Sequence, residues 1–216
     1  MNAMQVPALR STGALVDLAA LTPDDIDFAE MANTLSKIAR FNGINRGIGY
    51  SVGQHSVMGA DALYRETGDA ILAGYFVIHD GHEYVIGDVT RPTIALIDHH
   101  IARQAGLAGS VGERRFAKLA LDAAKADIDR AIVEAANLPP LARVPIYARQ
   151  VRDMDERMCA TEVKALFGLA GPVPFMDCSL PPLKLVVAIE PWGAMKAEEA
   201  FVDRLQKYLG IAARAT

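Results

Sequence analysis

Five residues able to bind a metal or move a proton fall within ten positions: His79, Asp80, His82, Glu83 and Asp88. They close an apolar run, YFVIHDGHEYVIGDVTRP (residues 75–92), punctuated by Gly81 and Gly87. Imidazole and carboxylate together suit a divalent ion of the zinc, manganese, cobalt or iron kind. The adjacent His79-Asp80 pair offers one nitrogen and one oxygen from a single turn. If residues 71–84 form one helix, His79 and Glu83 lie one turn apart and share a face. The competing reading is an ordinary polar helix end, where histidines and acids are common.

Other residues along the chain bear on that choice. His55 falls in the first turn of a helix that Ser51 can cap, a place where a single histidine signals little. Asp155 has Met154 and Met158 at i−1 and i+3, and a carboxylate there is costly to bury unless it is paired or metal-bound. A surface pair with Arg152 or Arg157 is the alternative. Taken together, His55, His79, Asp80 and Asp155 put two imidazoles and two carboxylates on three helices, the way metal cages are built inside helical bundles. Phosphoryl chemistry is one use of such a cage, because a divalent ion polarises a phosphoryl oxygen and lowers the pKa of water. Arg40 can hold phosphoryl oxygens bidentately. The leaving oxygen needs a proton from a carboxyl group of raised pKa. Glu83 and Asp88 are both candidates, and the sequence does not separate their roles. His99 and His100 are adjacent, point apart on a helix and read as surface residues. Gly43, Gly47 and Gly49 fit neither phosphate-loop spacing and read as a flexible turn.

The elements that must position these groups are mostly helical. Residues 1–13 read as a loose arm and 14–21 as a short strand or extended segment. Asp27 caps a helix whose stripe is Phe28, Met31, Leu35 and Ile38, ending near Arg40. The Ser51 helix buries Val57, Ala60, Leu63 and Tyr64 and closes at Gly68. Asp69 opens the helix that carries the His-Asp pair, and residues 84–92 form a loop that Pro92 delimits. A helix spans residues 93–105. A long helical region capped by Ser110 carries Phe116, Leu119, Ala120, Ala123, Ile132 and Ala135, with a break near residues 125–129, and stops at Asn137-Leu-Pro-Pro. Pro145 begins a helix to Gly168 that buries Val151, Met154, Met158, Val163 and Leu166. Residues 170–182 are a proline-rich loop and 183–189 a short strand. The last helix follows Pro191 and runs to Gly210, with Ala197, Phe201, Leu205 and Leu209 inward. The helical share, well above the usual third, gives an all-α class.

With 216 residues and 51% hydrophobic content, the chain suits one domain, residues 1–216, with a substantial core. A net charge of −4 without a run of Lys or Arg argues against a nucleic-acid partner. No apolar run reaches membrane-spanning length. The first residues lack the pattern of a signal peptide. Cys159 and Cys178 stand outside any CxxC pattern and read as free thiols in a reducing compartment. The expected location is the cytoplasm.

Four segments in order then carry a family resemblance: RFNG (Arg40–Gly43), YSVGQHS (residues 50–56), HDGHEYVIGDVTRP (79–92) and DERMCATE (155–162). PWGAMKAEEAF (191–201) adds to them. The chain resembles the HD-domain phosphohydrolases over residues 14–209, in the branch of bacterial HD-domain 5′-deoxynucleotidases and phage-type deoxynucleotide triphosphohydrolases. The resemblance implies a helical HD-domain bundle. It implies one divalent ion (cobalt, manganese, zinc, iron, nickel or magnesium) on His55, His79, Asp80 and Asp155. It implies catalytic roles for Glu83 and Asp88, phosphate binding by Arg40, and an aromatic contact to sugar or base from Phe41, where relatives have Trp. It also implies a homodimer or larger assembly. Triphosphate-handling relatives often read RPLK where this chain reads RPTI (residues 91–94), so a cation for extra phosphates is missing there. The expected substrate is therefore a (deoxy)nucleoside 5′-monophosphate. A deoxynucleoside triphosphate triphosphohydrolase and a non-catalytic nucleotide-binding protein are the alternatives.

Overall fold

The computed structural model describes residues 5–106, 115–169, 180 and 183–213. Expectations for the proline-rich loop at 170–182, for Cys178 and for capping by Ser110 lie largely or wholly outside them. The chain is mostly helical, with a single two-stranded ribbon among the described residues. Strands β1 (Pro7–Leu9) and β2 (Leu15–Asp17) pair antiparallel. Part of the expected loose arm is thus a hairpin, and the Asp17 carboxylate ties it by accepting from the amides of Gln5 and Val6.

Helix α1 (Phe28–Leu35) starts where Asp27 accepts from the amides of Ala29 and Glu30. It ends at Leu35, earlier than its apolar stripe predicts. Arg40 therefore lies in a separate 3₁₀ turn, Arg40–Gly43. Helix α2 (Val52–Thr67) is capped by Ser51 and closed by Gly68 as the sequence indicates. It is the central helix, with Val52 to Ala60 all buried, although Tyr64 stays exposed. Helix α3 (Ala70–Ile78), capped by Asp69, packs along α2. Helices α7 (Pro145–Phe167) and α8 (Ala194–Leu209) complete the core around them.

Several expectations are corrected. The helix of the His-Asp pair does not continue to residue 84. It stops at Ile78, and tight turns from Ile78 O to Gly81 N and from Asp80 O to Glu83 N lead into the short α4 (Glu83–Ile86). Residues 84–92 are therefore not all loop. Helix α5 (Arg91–Gln104) uses Pro92 in its first turn, where a missing N–H costs nothing. Helix α6 (Phe116–Ala135) is unbroken at 125–129. Its inward residues are Ile128, Ala131 and Ile132, while Phe116 and Leu119 are exposed. Residues 183–189 form no strand. In α8 the inward face is Ala197, Phe201, Leu205 and Tyr208, and Leu209 packs partly buried against the core as expected.

Two close approaches hold the central helices. A Cβ on Gly59 of α2 would lie 2.1 Å from Phe76 Cε1 of α3, and the Phe76 ring stacks on His79 at 4.2 Å between centroids. Between α2 and α8, Asp61 accepts from Arg204 (2.7 Å) and from the Tyr208 hydroxyl (2.7 Å). Burial raises the Asp61 pKa, but these bonds more than reverse that and leave it below 3.8.

Gly59→Ala is expected to lower the unfolding free energy by about 1–3 kcal/mol through overpacking, read by urea denaturation. Because the folded pKa of Asp61 is depressed, its contribution is full above the ordinary carboxylate range and is lost as pH falls through the folded value. The Tm gap between wild type and Asp61→Asn should shrink on acidification. A gap that widens would contradict the assigned bonds.

Candidate metal centre

The site is assembled at the ends of elements. His55 lies in the first turn of α2, His79 caps the C-terminus of α3, Asp80 follows it, and Asp155 projects from the middle of α7. One ligand atom from each of the four lies within 4.8 Å of the others. His55 Nε2 is 3.4 Å from His79 Nε2, 3.3 Å from Asp155 Oδ1 and 3.8 Å from Asp80 Oδ2. His79 Nε2 is 3.3 Å from Asp80 Oδ2 and 3.9 Å from Asp155 Oδ1. Ligands about 2.1 Å from a shared ion are about 3.0 Å apart along an octahedral edge and about 3.4 Å along a tetrahedral one. The donor spacing is thus near that of a coordination shell.

The imidazoles are oriented for the purpose. His55 Nδ1–H donates to Glu162 Oε1 at 2.6 Å, and His79 Nδ1–H donates to the Phe76 carbonyl at 2.7 Å. Each bond turns Nε2 toward the cluster, where its lone pair serves an ion once any proton there is released, and such outer partners fix ring orientation in metal sites. Glu162, fully buried on α7, is the residue sequence reasoning overlooked. Its place one turn beyond Met158, on the stripe that buries Val151 and Met154, was the available signal.

Arg40 joins the cluster through its backbone. Its amide donates to the Tyr50 carbonyl, and Ala39 bridges to Ser51, so the turn is fastened to the start of α2. Arg40 Nε donates to Glu162 at 3.1 Å, while its terminal nitrogens lie 3.3 Å from Asp80 and 3.9 Å from Asp155. Asp155 therefore does not pair with Arg152 or Arg157, and Arg157 holds Glu66 instead. With neutral imidazoles, three carboxylates and one guanidinium leave two negative charges, which a divalent ion would balance.

Phe41 sits at the edge. It has φ 54°, a conformation unfavourable for a bulky residue. Its ring meets Phe167 edge-on at 5.4 Å and lies 5.7 Å from the Arg40 guanidinium. Arg46 is exposed, and Arg91 is engaged by Glu156 of α7.

No family model matches the chain. An uncharacterized protein of Rhodobacter capsulatus is 36% identical to it over 92 residues, 40% of this chain and 45% of that protein. The match thus spans less than half of the relative's length.

The charge of Asp80 acts on both Glu83 and Asp88. Glu83 groups with Asp80 and His82, not on a shared helical face with His79. Gly81 permits this turn, since a Cβ there would lie 2.8 Å from the Ile78 carbonyl and 3.0 Å from Ile132. Burial, then the Asp80 and Asp88 carboxylates, push Glu83 up to about 9. Burial also raises half-buried Asp88. His79 is lowered by burial, but Asp80 and Asp155 more than reverse that and carry it to about 9. Burial pushes the Cys159 thiol up to about 12, so it is inert as a nucleophile at neutral pH. His99 and His100 are exposed, as expected.

His79→Ala is expected to abolish binding of a divalent ion, and His99→Ala to leave it intact, as read by elemental analysis. Metal-free His79 carries a proton at neutral pH, so loading the ion should release at least one proton per chain. Affinity should then rise with pH until His79 deprotonates near 9. Calorimetry in buffers of different ionisation enthalpy measures the release, and a pH-independent affinity would argue against these ligands.

Proposed function

We propose that the chain is a cytoplasmic HD-domain phosphohydrolase that removes phosphate from (deoxy)nucleoside 5′-monophosphates. The observation that carries this reading is the convergence of His55, His79, Asp80 and Asp155 beside Arg40 and two carboxyl groups of raised pKa. The donor set suits a borderline divalent ion such as manganese, cobalt, zinc or iron. Such an ion would polarise the phosphoryl group and make water a stronger nucleophile.

The remaining steps belong to the chain's own side chains. Arg40 keeps Nε on Glu162 and turns its terminal nitrogens from Asp80 and Asp155 to the phosphoryl oxygens once those carboxylates are otherwise engaged. Phe41 and Phe167 offer an aromatic wall for sugar or base. Water adds to phosphorus and loses a proton to the ionised member of the Glu83–Asp88 pair. The bond to the 5′ oxygen breaks, and the protonated member gives its proton to the leaving oxygen, so the pair ends with the proton it began with. The products are a nucleoside and inorganic phosphate.

One observation favours the triphosphohydrolase as a second reading. Lys125 of α6 acts electrostatically on both Glu83 and Asp88, so the cation absent from RPTI has a counterpart on another element. The proposed partner is a second copy of the chain. It would cover Leu96 and Ile97 of α5 and Phe116 and Leu119 of α6, all exposed, on helices joined where Asp98 accepts from the Ala117 amide.

Incubation of the metal-loaded protein with dAMP and with dATP at equal concentration tests the reading. Release of inorganic phosphate from dAMP is expected, with kcat reduced about 10²–10⁴-fold in Glu83→Ala or Asp88→Ala. Tripolyphosphate from dATP at the higher kcat/KM would favour the triphosphohydrolase. Binding of nucleotide without turnover would favour the non-catalytic alternative.

A further inference from the structure

We propose that Asp80, His82 and Glu83 form a second divalent-cation site, joined to the first through the Asp80 carboxylate. One ligand atom from each of the three lies within 4.8 Å of the others. His82 and Glu83 are each only 5% exposed. His82 Nε2 and Glu83 Oε2 are both buried and have no hydrogen-bond partner among the described residues. Buried polar atoms are nearly always satisfied, so two orphans on neighbouring residues, beside a third carboxylate, point to a ligand between them.

The imidazole is set up as those of the first centre are. His82 Nδ1–H donates to Asp129 Oδ1 of α6 at 2.9 Å, which leaves the Nε2 lone pair as the donor and gives it a carboxylate backing. Asp80 directs Oδ2 to His55 and His79, and a carboxylate can give its other oxygen to a second ion. One nitrogen and two carboxylates suit manganese or iron. Paired ions that share a ligand act as a clamp on the attacking and leaving oxygens of a phosphoryl group. In that arrangement Glu83 is a ligand, and Asp88 holds the proton for the leaving oxygen. The site rests on the first centre only through Asp80, and that last division of roles rests on the phosphohydrolase reading.

Mn²⁺ is the probe. Equilibrium dialysis and electron paramagnetic resonance of the full chain should give two ions per chain, with the spin-coupled signal of a carboxylate-bridged pair. Glu83→Gln and His82→Asn should each bind one uncoupled ion, and Asp129→Asn should weaken the second ion by about 10–100-fold. Circular dichroism confirms that each variant is folded. One ion per wild-type chain at saturation would overturn the proposal and leave water as the group satisfying His82 and Glu83. Two coupled ions in both folded variants, Glu83→Gln and His82→Asn, would overturn it equally. No bound ion in the wild type would overturn the first centre along with the second, which distinguishes the two failures.

Discussion

The structure turns on the buried carboxylate of Glu162. An anion removed from water is tolerated only when its oxygens are taken up by donors. Here one oxygen accepts from His55 Nδ1 and the other from Arg40 Nε. Burial raises the Glu162 pKa, but Arg40 and His55 more than reverse that and hold it below the usual range. Those two bonds tie α7 to α2 and to the Arg40 turn. They also fix which nitrogen of His55 faces the cluster and how far Arg40 can reach.

Around that pair the site is supported by packing. Phe76 stacks on His79 and lies 5.6 Å from His55 between centroids, and it fits only because position 59 has no side chain. Gln54, next to His55, holds the segment before α8 by donating to the Glu190 carbonyl and accepting from the Trp192 amide, both at 2.8 Å. The positive φ of Phe41 and Asn42 is a local cost of about 1–3 kcal/mol per residue. It keeps an arginine and an aromatic ring at the rim of the cluster.

Much of this was legible in the sequence, and the reason differs from element to element. Asp27, Ser51 and Asp69 are capping residues whose chemistry is local, so the starts of α1, α2 and α3 could be read directly. His79, Asp80 and Asp155 could be read from residue type, because a His-Asp pair closing an apolar run and a carboxylate between methionines are each unusual. His55, by contrast, signals little until it is set beside them. Glu162 escaped because its meaning depends on which groups fold against it. The stop of α3 at Ile78 escaped because the apolar pattern continues through Tyr84, Val85 and Ile86, while Gly81 lets the backbone turn between Ile78 and Ile132. Phe116 and Leu119 of α6 follow the apolar period of a core face and yet are exposed, because periodicity reports amphipathicity and not what covers it.

The central claim is that the four ligands hold one ion in common. Anomalous diffraction from crystals grown with Mn²⁺ tests it most directly. The account predicts a peak about 2.1–2.3 Å from His55 Nε2, His79 Nε2, Asp80 and Asp155 together, with Arg40 still bonded to Glu162. A saturated crystal with no peak among these four side chains, and with Arg40 still bridging Asp80 and Asp155, would contradict it.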